Sequence, residues 1–397
     1  MPHSATAPSL ALVLDANQRS ALAATRSLGS RGVALWTSDA TDTALAGRSR
    51  FSRRYLRSPS PEHAPEPFMD WLVELVAREG ITFLLPVTEI SSQLILRHRQ
   101  RLPGHCALPF AELDQVMALA DKGSLVQQAM AAGVRCPATR QFVSGKELDP
   151  ASIDVYPVVL KPRLSRVFLG DRWLNTSVAL AGSRGELQQL LAEREEFRDH
   201  PFLLQEFIPG HGAGIFALYD RGRPVAFFAH RRLREKPPGG GVSVLSESVD
   251  PDPAALTAAT RLLDHAGWHG VAMVEFRVSP DGTPWLMEVN TRFWGSLQLA
   301  IDAGVDFPWL LYQLSLGRSD APAAEYRRGR RLRWWLGDAD RLYLVLRDGS
   351  RSLGDRLGQL LRFALPDPGR TRHEIWRWRD PGPAWYELRE WLQALRG

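Results

Sequence analysis

The chain has 397 residues, which is long for one ordinary core and suits two or three domains. Hydrophobic residues make up 44% and charged residues 23%, the balance of a soluble globular protein, and no run approaches 18 uncharged apolar residues, so a membrane-spanning helix is excluded. A formal charge of +5 points to anionic partners, yet only four of the 49 basic residues are Lys, at 122, 146, 161 and 236. A compact ammonium and a planar guanidinium meet phosphate differently, so each of those lysines is informative. Cys106 and Cys136 are too few for a disulfide framework or a thiolate zinc site. The stretch MPHSATAPSLALVLDANQ has no basic region ahead of its apolar run, so a cytoplasmic protein is expected.

In chain order, Ala11–Leu14 reads as a buried strand, Arg19–Leu28 as a helix ended by Gly29, and Val33–Trp36 as a second strand. Helical spacing over Trp71–Arg78 precedes a strand at 81–85 stopped by Pro86. This alternation implies a parallel sheet flanked by helices. No glycine follows the first strand, so the dinucleotide fingerprint is absent. From Glu112 the texture changes. Asp121 can cap a helix through Leu125 and Met130 that Gly133 closes, and Val158–Lys161 is a strand ended by Pro162. Ser183 with Glu186 is a capping box before another helix, Phe202–Phe207 is a strand, and Asp220-Arg221-Gly222-Arg223 joins two strands as a hairpin. A helix over 254–266 leads to paired strands at 271–278 and 285–290. Beyond Gly317 the chain is rich in Arg and Trp, with one helix expected at Ala384–Leu395.

The sharpest chemistry is in VAMVEFRVSPDGTPWLMEVNTRFWG, residues 271–295. A two-residue type I′ turn at Asp281-Gly282 places Glu275 opposite Glu288. Their Cβ atoms are then about 4.5–5.5 Å apart, and two such carboxylates repel unless one is protonated or a cation lies between them. Asn290 shares the Glu288 face, so an all-oxygen site suited to Mg²⁺ holding phosphates results, with Arg292 within reach of a phosphate oxygen. Alternation puts Val271, Met273 and Leu286 on that same face. Lys161 ends an apolar strand, and Lys122 lies in a first helical turn where the dipole opposes a cation, which suggests a nearby anion.

In this order the segments resemble the ATP-grasp superfamily, over roughly residues 10–317, and look most like its carboxylate–amine ligase branch. That resemblance implies an α/β Rossmann-like (pre-ATP-grasp) domain over 1–112, a two-lobed α+β ATP-grasp domain over 113–318, and a small, helical, Arg/Trp-rich appendage over 319–397. It implies ATP as the nucleotide, with Lys122 and Lys161 on its phosphates and Gln205, Glu206, Phe207 and Ile208 as the adenine linker. Glu275, Glu288 and Asn290 would ligate Mg²⁺ or Mn²⁺, and Arg292 and Lys161 would serve catalysis. Two departures stand out: Pro162–Arg166 is not a glycine-rich phosphate lid, although its arginines could replace one electrostatically, and Gly210–Gly214 lacks a ribose-binding acid.

The activity implied is ATP-driven formation of an acyl-phosphate and its capture by an amine, with small acid and amine substrates and a possible homodimer. His230, Arg232, Arg234 and Gly240 are candidates for binding the acid and closing over it. Another ATP-grasp phosphoryl transfer or a carboxylation is the alternative. Nucleic-acid binding by the basic C-terminus is a third reading, disfavoured by the glutamates interspersed there and the amphipathic spacing of 384–395.

Overall fold

The computed structural model describes residues 9–170, 173–238, 241–318, 325–365 and 369–396. Its first sheet is parallel, built from β1 (Leu10–Val13), β2 (Ala34–Asp39), β3 (Arg54–Arg57) and β4 (Ile81–Leu85) in the order β3-β2-β1-β4. The helix after β1, Arg19–Ser30, is buried along most of its length, and a longer helix at Pro65–Glu79 precedes β4. β3 is an element the sequence did not single out.

Next come β5 (Thr139–Phe142), β6 (Val158–Pro162), β7 (Arg166–Phe168), β8 (Trp173–Asn175), β9 (Ala179–Ala181) and β10 (Phe202–Glu206). Of these, β5, β10, β6 and β9 form an antiparallel sheet in that order, and β7 pairs with β8 alone. Phe142, Leu160, Phe197 and Phe202 build a small core of their own beneath it. The large sheet contains β11 (His211–Asp220), β12 (Arg223–Lys236), β13 (Val242–Ser248), β14 (Gly270–Val278), β15 (Pro284–Asn290), β16 (Arg331–Arg333) and β17 (Thr371–His373), ordered β15-β14-β11-β12-β13-β16-β17. The β11–β12 hairpin turns at Arg221-Gly222, both at positive φ, as its sequence signal requires.

Residues alternate across the large sheet. Phe216, Phe228, Val271 and Met273 join one apolar cluster, while Ile215, Ala272, Val274 and Phe276 join the other. Each cluster also takes one face of the parallel sheet: Ala11 and Val13 belong to the first, Leu12 and Leu14 to the second. The segments either side of residue 112 therefore share cores.

The C-terminal segment differs from expectation. It adds β16 and β17 to the sheet edge and carries helices at Trp335–Arg347, Leu353–Ala364 and Gly382–Ala394, whereas only the last was expected. Its arginines are largely engaged: Arg333 meets Asp338 and Arg377 meets Asp302. Among the described residues no helix is long and apolar enough to cross a membrane.

Candidate functional site

The carboxylate hairpin reaches its register by two compensating irregularities. The Ser279 amide donates to the Thr283 carbonyl (3.0 Å), so the loop has three residues, Pro280-Asp281-Gly282, with Gly282 at φ +84°. This corrects the expected two-residue turn, and the Asp281 carboxylate, accepting from the Thr283 amide and the Ser279 hydroxyl, stabilises the longer one. Near the loop the strands pair one residue out of the expected register, Phe276 opposite Leu286. A bulge at Met287 restores it, so Glu275 does face Glu288 and Met273 faces Asn290. The bulge also turns Leu286 into the other core, with Val274 and Phe276, so Leu286 does not share the carboxylate face.

The two carboxylates share a hydrogen-bonding neighbour and oppose unlike charges. Asn290 Nδ2 donates to Glu275 Oε1 (3.2 Å) and Glu288 Oε1 (3.4 Å). Arg232 Nη2 donates to Glu275 Oε2 (3.0 Å), and Lys122 Nζ lies 3.4 Å from Glu288 Oε2. Burial first, and Glu288 second, push the Glu275 carboxyl above its ordinary range. Glu288 goes the other way: burial opposes ionisation, but Lys122 and Lys161 together hold it below the usual carboxylate range. Lys161, paired opposite Leu203 in the small sheet, reaches Met287 Sδ (3.5 Å), and burial lowers its ammonium to about 8. The two lysines singled out by scarcity thus converge on Glu288.

Asp121 holds those lysine segments together. Its carboxylate caps the helix Lys122–Ala131 through the amides of Gly123 and Ser124, and receives Arg163 Nε (2.8 Å) from the residue after β6. Arg163 is therefore committed to the protein rather than free to replace a phosphate lid. A side chain at Gly123 would approach Gln141 Oε1 to 2.8 Å and Arg163 Nε to 2.9 Å. Sequence reading found the cap but not this clamp, because 42 residues separate its partners.

The remaining candidates divide. Arg292 donates to the Phe293 carbonyl (2.9 Å) and lines the carboxylate cavity. His230 is buried, its Nε2 is 2.8 Å from Ser296 Oγ, and its ring stacks on Phe216; burial and Arg232 lower its pKa to about 3. Arg234 does not enter this cavity: a bulge at Leu233 sends it to Asp338 (2.9 Å) on the far side of β12. Gly240 lies outside the described residues. In the linker, Gln205 is buried with Nε2 on Thr139 Oγ1 (2.8 Å), Glu206 is exposed, Phe207 is exposed, and the Ile208 carbonyl accepts from Arg277 Nε (3.2 Å). Gly210, at φ +128°, passes so close to the Val278 carbonyl that a Cβ would lie 2.0 Å from it, which ties the linker's end to the hairpin strand.

Two further residues, which no sequence signal marks, border the site. Arg19, at the start of the helix after β1, lines the carboxylate cavity and packs so near Gly295 that a Cβ there would meet its Nη2 at 2.9 Å. Ser296 lines the same cavity beside His230. That cavity, of about 300 Å³, shares Arg292 and Gly295 with a second of about 490 Å³ at the carboxyl ends of the parallel strands, lined by Asp15, Asn17, Asp39, Thr88 and Arg166 among others. Ligands of open parallel sheets bind in that crevice. Two carboxylates and an amide whose oxygen can turn inward make an all-oxygen donor set, which fits Mg²⁺ or Mn²⁺ and not a soft metal.

An antiparallel sheet thus faces a larger one, with paired acids and lysines between them, and the comparisons match this arrangement. Residues 198–336 match the family model described as ATP-grasp in the biosynthetic pathway with Ter operon. A D-alanine–D-alanine ligase of Gloeobacter violaceus is 28% identical over 180 residues, which cover 40% of this chain and 54% of the ligase, so the chain spans about half the length of that curated relative. The solved L-amino acid ligase of Bacillus licheniformis superposes with a TM-score of 0.62 at 17% identity, covering 81% of this chain and 78% of the other. Biotin carboxylase of Campylobacter jejuni gives 0.63 at 14% identity, covering 81% and 74%. The chain is thus similar to the ATP-grasp family over residues 198–336, and it shares the fold of these solved structures over about four-fifths of its length.

Proposed function

We propose that the protein is an ATP-dependent carboxylate–amine ligase: it activates a small acid as an acyl-phosphate, releasing ADP, and joins it to an amine. The observation that carries this reading is the half-buried, register-matched pair Glu275 and Glu288, with Lys122 on the second acid and Arg292 in the same cavity.

Phosphoryl transfer depends on positioning and charge neutralisation more than on covalent help from the protein. Lys122 and Lys161 cradle the nucleotide's phosphates, and the 205–208 segment carries its base. Glu275, Glu288 and the Asn290 amide oxygen would hold Mg²⁺ or Mn²⁺, which when bound neutralises phosphate charge. Arg292 lies where the nucleotide cavity meets the crevice of the parallel sheet, so it binds the phosphoryl group in transit to the acid. The acid and the amine occupy that crevice, shaped by residues 1–112, with Arg19, His230 and Arg232 bordering the reacting end. Neutral His230 and Ser296 offer uncharged hydrogen bonds there. A cytoplasmic setting, where ATP and free thiols are abundant, suits the two unpaired cysteines.

The test is ADP release by the full chain with Mg²⁺ across pairs of acids and amines, with product mass measured. Release that requires both partners, and a product lighter by one water than their sum, supports the ligase. Release driven by bicarbonate without an amine overturns it in favour of carboxylation.

A further inference from the structure

On the far side of β12 from the carboxylates lies an open cavity of about 510 Å³, bordered by the sheet edge and the helices Trp335–Arg347 and Leu353–Ala364. Five arginines line it, Arg234, Arg331, Arg333, Arg341 and Arg362, and no carboxylate among the described residues does. The acids behind its wall are shared. Asp338 Oδ2 serves both Arg234 (2.9 Å) and Arg333 (2.7 Å), and Glu247 serves both Arg231 and Arg331. Two donors remain unused inside the protein: Nε of Arg234 and Nε of Arg341 are buried without a hydrogen-bond partner. Burial lowers the Arg234 pKa to about 10, with Asp338 opposing and the neighbouring guanidiniums of Arg333, Arg341 and Arg331 adding to the fall.

Converging guanidiniums repel, and a buried donor left unpaired costs free energy. A structure that keeps five of them around one hollow leaves room for a compensating anion, and planar forks suit bidentate oxyanions. The hollow is of a size that takes small metabolites. Its floor is independent of the nucleotide cleft: the bulge at Leu233 sends Arg232 to Glu275 on one face and Arg234 to Asp338 on the other.

We propose that this arginine-lined cavity is a second binding site, which takes a small polyanion bearing phosphate or several carboxylate groups. The full chain carrying Lys122→Ala and Lys161→Ala, which removes the cleft's ammonium groups, is titrated calorimetrically without divalent ions. Inorganic pyrophosphate and citrate are the probes, and the tighter one tells phosphate from polycarboxylate recognition. Saturable binding of either probe is expected, weakened about tenfold or more when Arg341→Gln or Arg362→Gln is added, since a charge-assisted hydrogen bond is lost with each. Arg362 is exposed and its substitution leaves the fold intact if Arg341→Gln does not. No binding of either probe, or binding indifferent to both arginine substitutions, overturns the site.

Discussion

Lys161 shows how one residue's surroundings set its working range. Its ammonium is nearly enclosed, and burial brings its pKa down to about 8 even though Glu288 pulls it up. The charged form is therefore lost as pH rises through 8, so ADP affinity of the metal-free chain should fall between pH 7 and 9.5, while Lys161→Ala should bind more weakly and stay flat over that window. Titration of ADP at the two ends of the range checks this, and a flat wild-type profile counts against phosphate contact by Lys161. The residue was legible because lysine is scarce and because the apolar run before it reads as a strand. Arg19 was not, since nothing local distinguishes it among 45 arginines. Its place in the cavity comes from the docking of its helix against the 292–296 loop.

At the scale of elements, the site depends on strands and a helix being held in register. The hairpin pairing could be read from the sequence, but for an incomplete reason: a longer turn and a bulge cancel, and only their sum is visible in which residues oppose. The irregularity at Leu233 could not be read, so nothing in the segment that offered Arg232 and Arg234 together showed that they part to opposite faces. The Asp121–Arg163 clamp joins the two lysine-bearing segments. Arg163→Ala should weaken ATP binding about tenfold, with Arg163→Lys recovering part of it, because the lysines would no longer be fixed relative to each other. Gly123→Ala should act likewise by pushing Gln141 and Arg163 apart. Nucleotide dissociation constants measure both, and unchanged values would show that the clamp only stabilises the fold.

Across the whole molecule, the C-terminal segment is tied to the N-terminal one by buried charge. Asp380 accepts from Arg26 Nε (2.8 Å), Ser49 Oγ (2.8 Å) and the Arg50 amide (2.8 Å), and Arg26 also donates to the Glu374 and Ile375 carbonyls. Asp380→Ala leaves a buried guanidinium without its counter-charge and should cost about 3–5 kcal/mol of unfolding free energy, measured by denaturant titration. Glu387 reports on the same junction. It accepts from Trp334 Nε1 (2.6 Å), and burial, with Glu374 adding, raises its pKa to about 7. The folded chain then binds more protons than the unfolded one between about pH 4.5 and 7, so this group makes stability fall as pH rises across that window. Glu387→Gln keeps an acceptor for Trp334 and should lessen the loss of melting temperature between pH 5 and 8; an identical pH dependence would refute the assignment. None of this was visible in the sequence, where the segment read as one helix, because β16 and β17 are three residues each and exist only by pairing with the sheet edge.

The most direct test of a nucleotide held through metal by the paired acids is ATP binding by the full chain, titrated with Mg²⁺ and with EDTA, for the wild type and Glu288→Gln. If Glu275 and Glu288 hold the ion, Mg²⁺ should tighten wild-type binding about tenfold or more, and Glu288→Gln should abolish that gain while a melting curve shows the variant folded. Equal affinity with and without Mg²⁺, or a gain that survives Glu288→Gln, would contradict it.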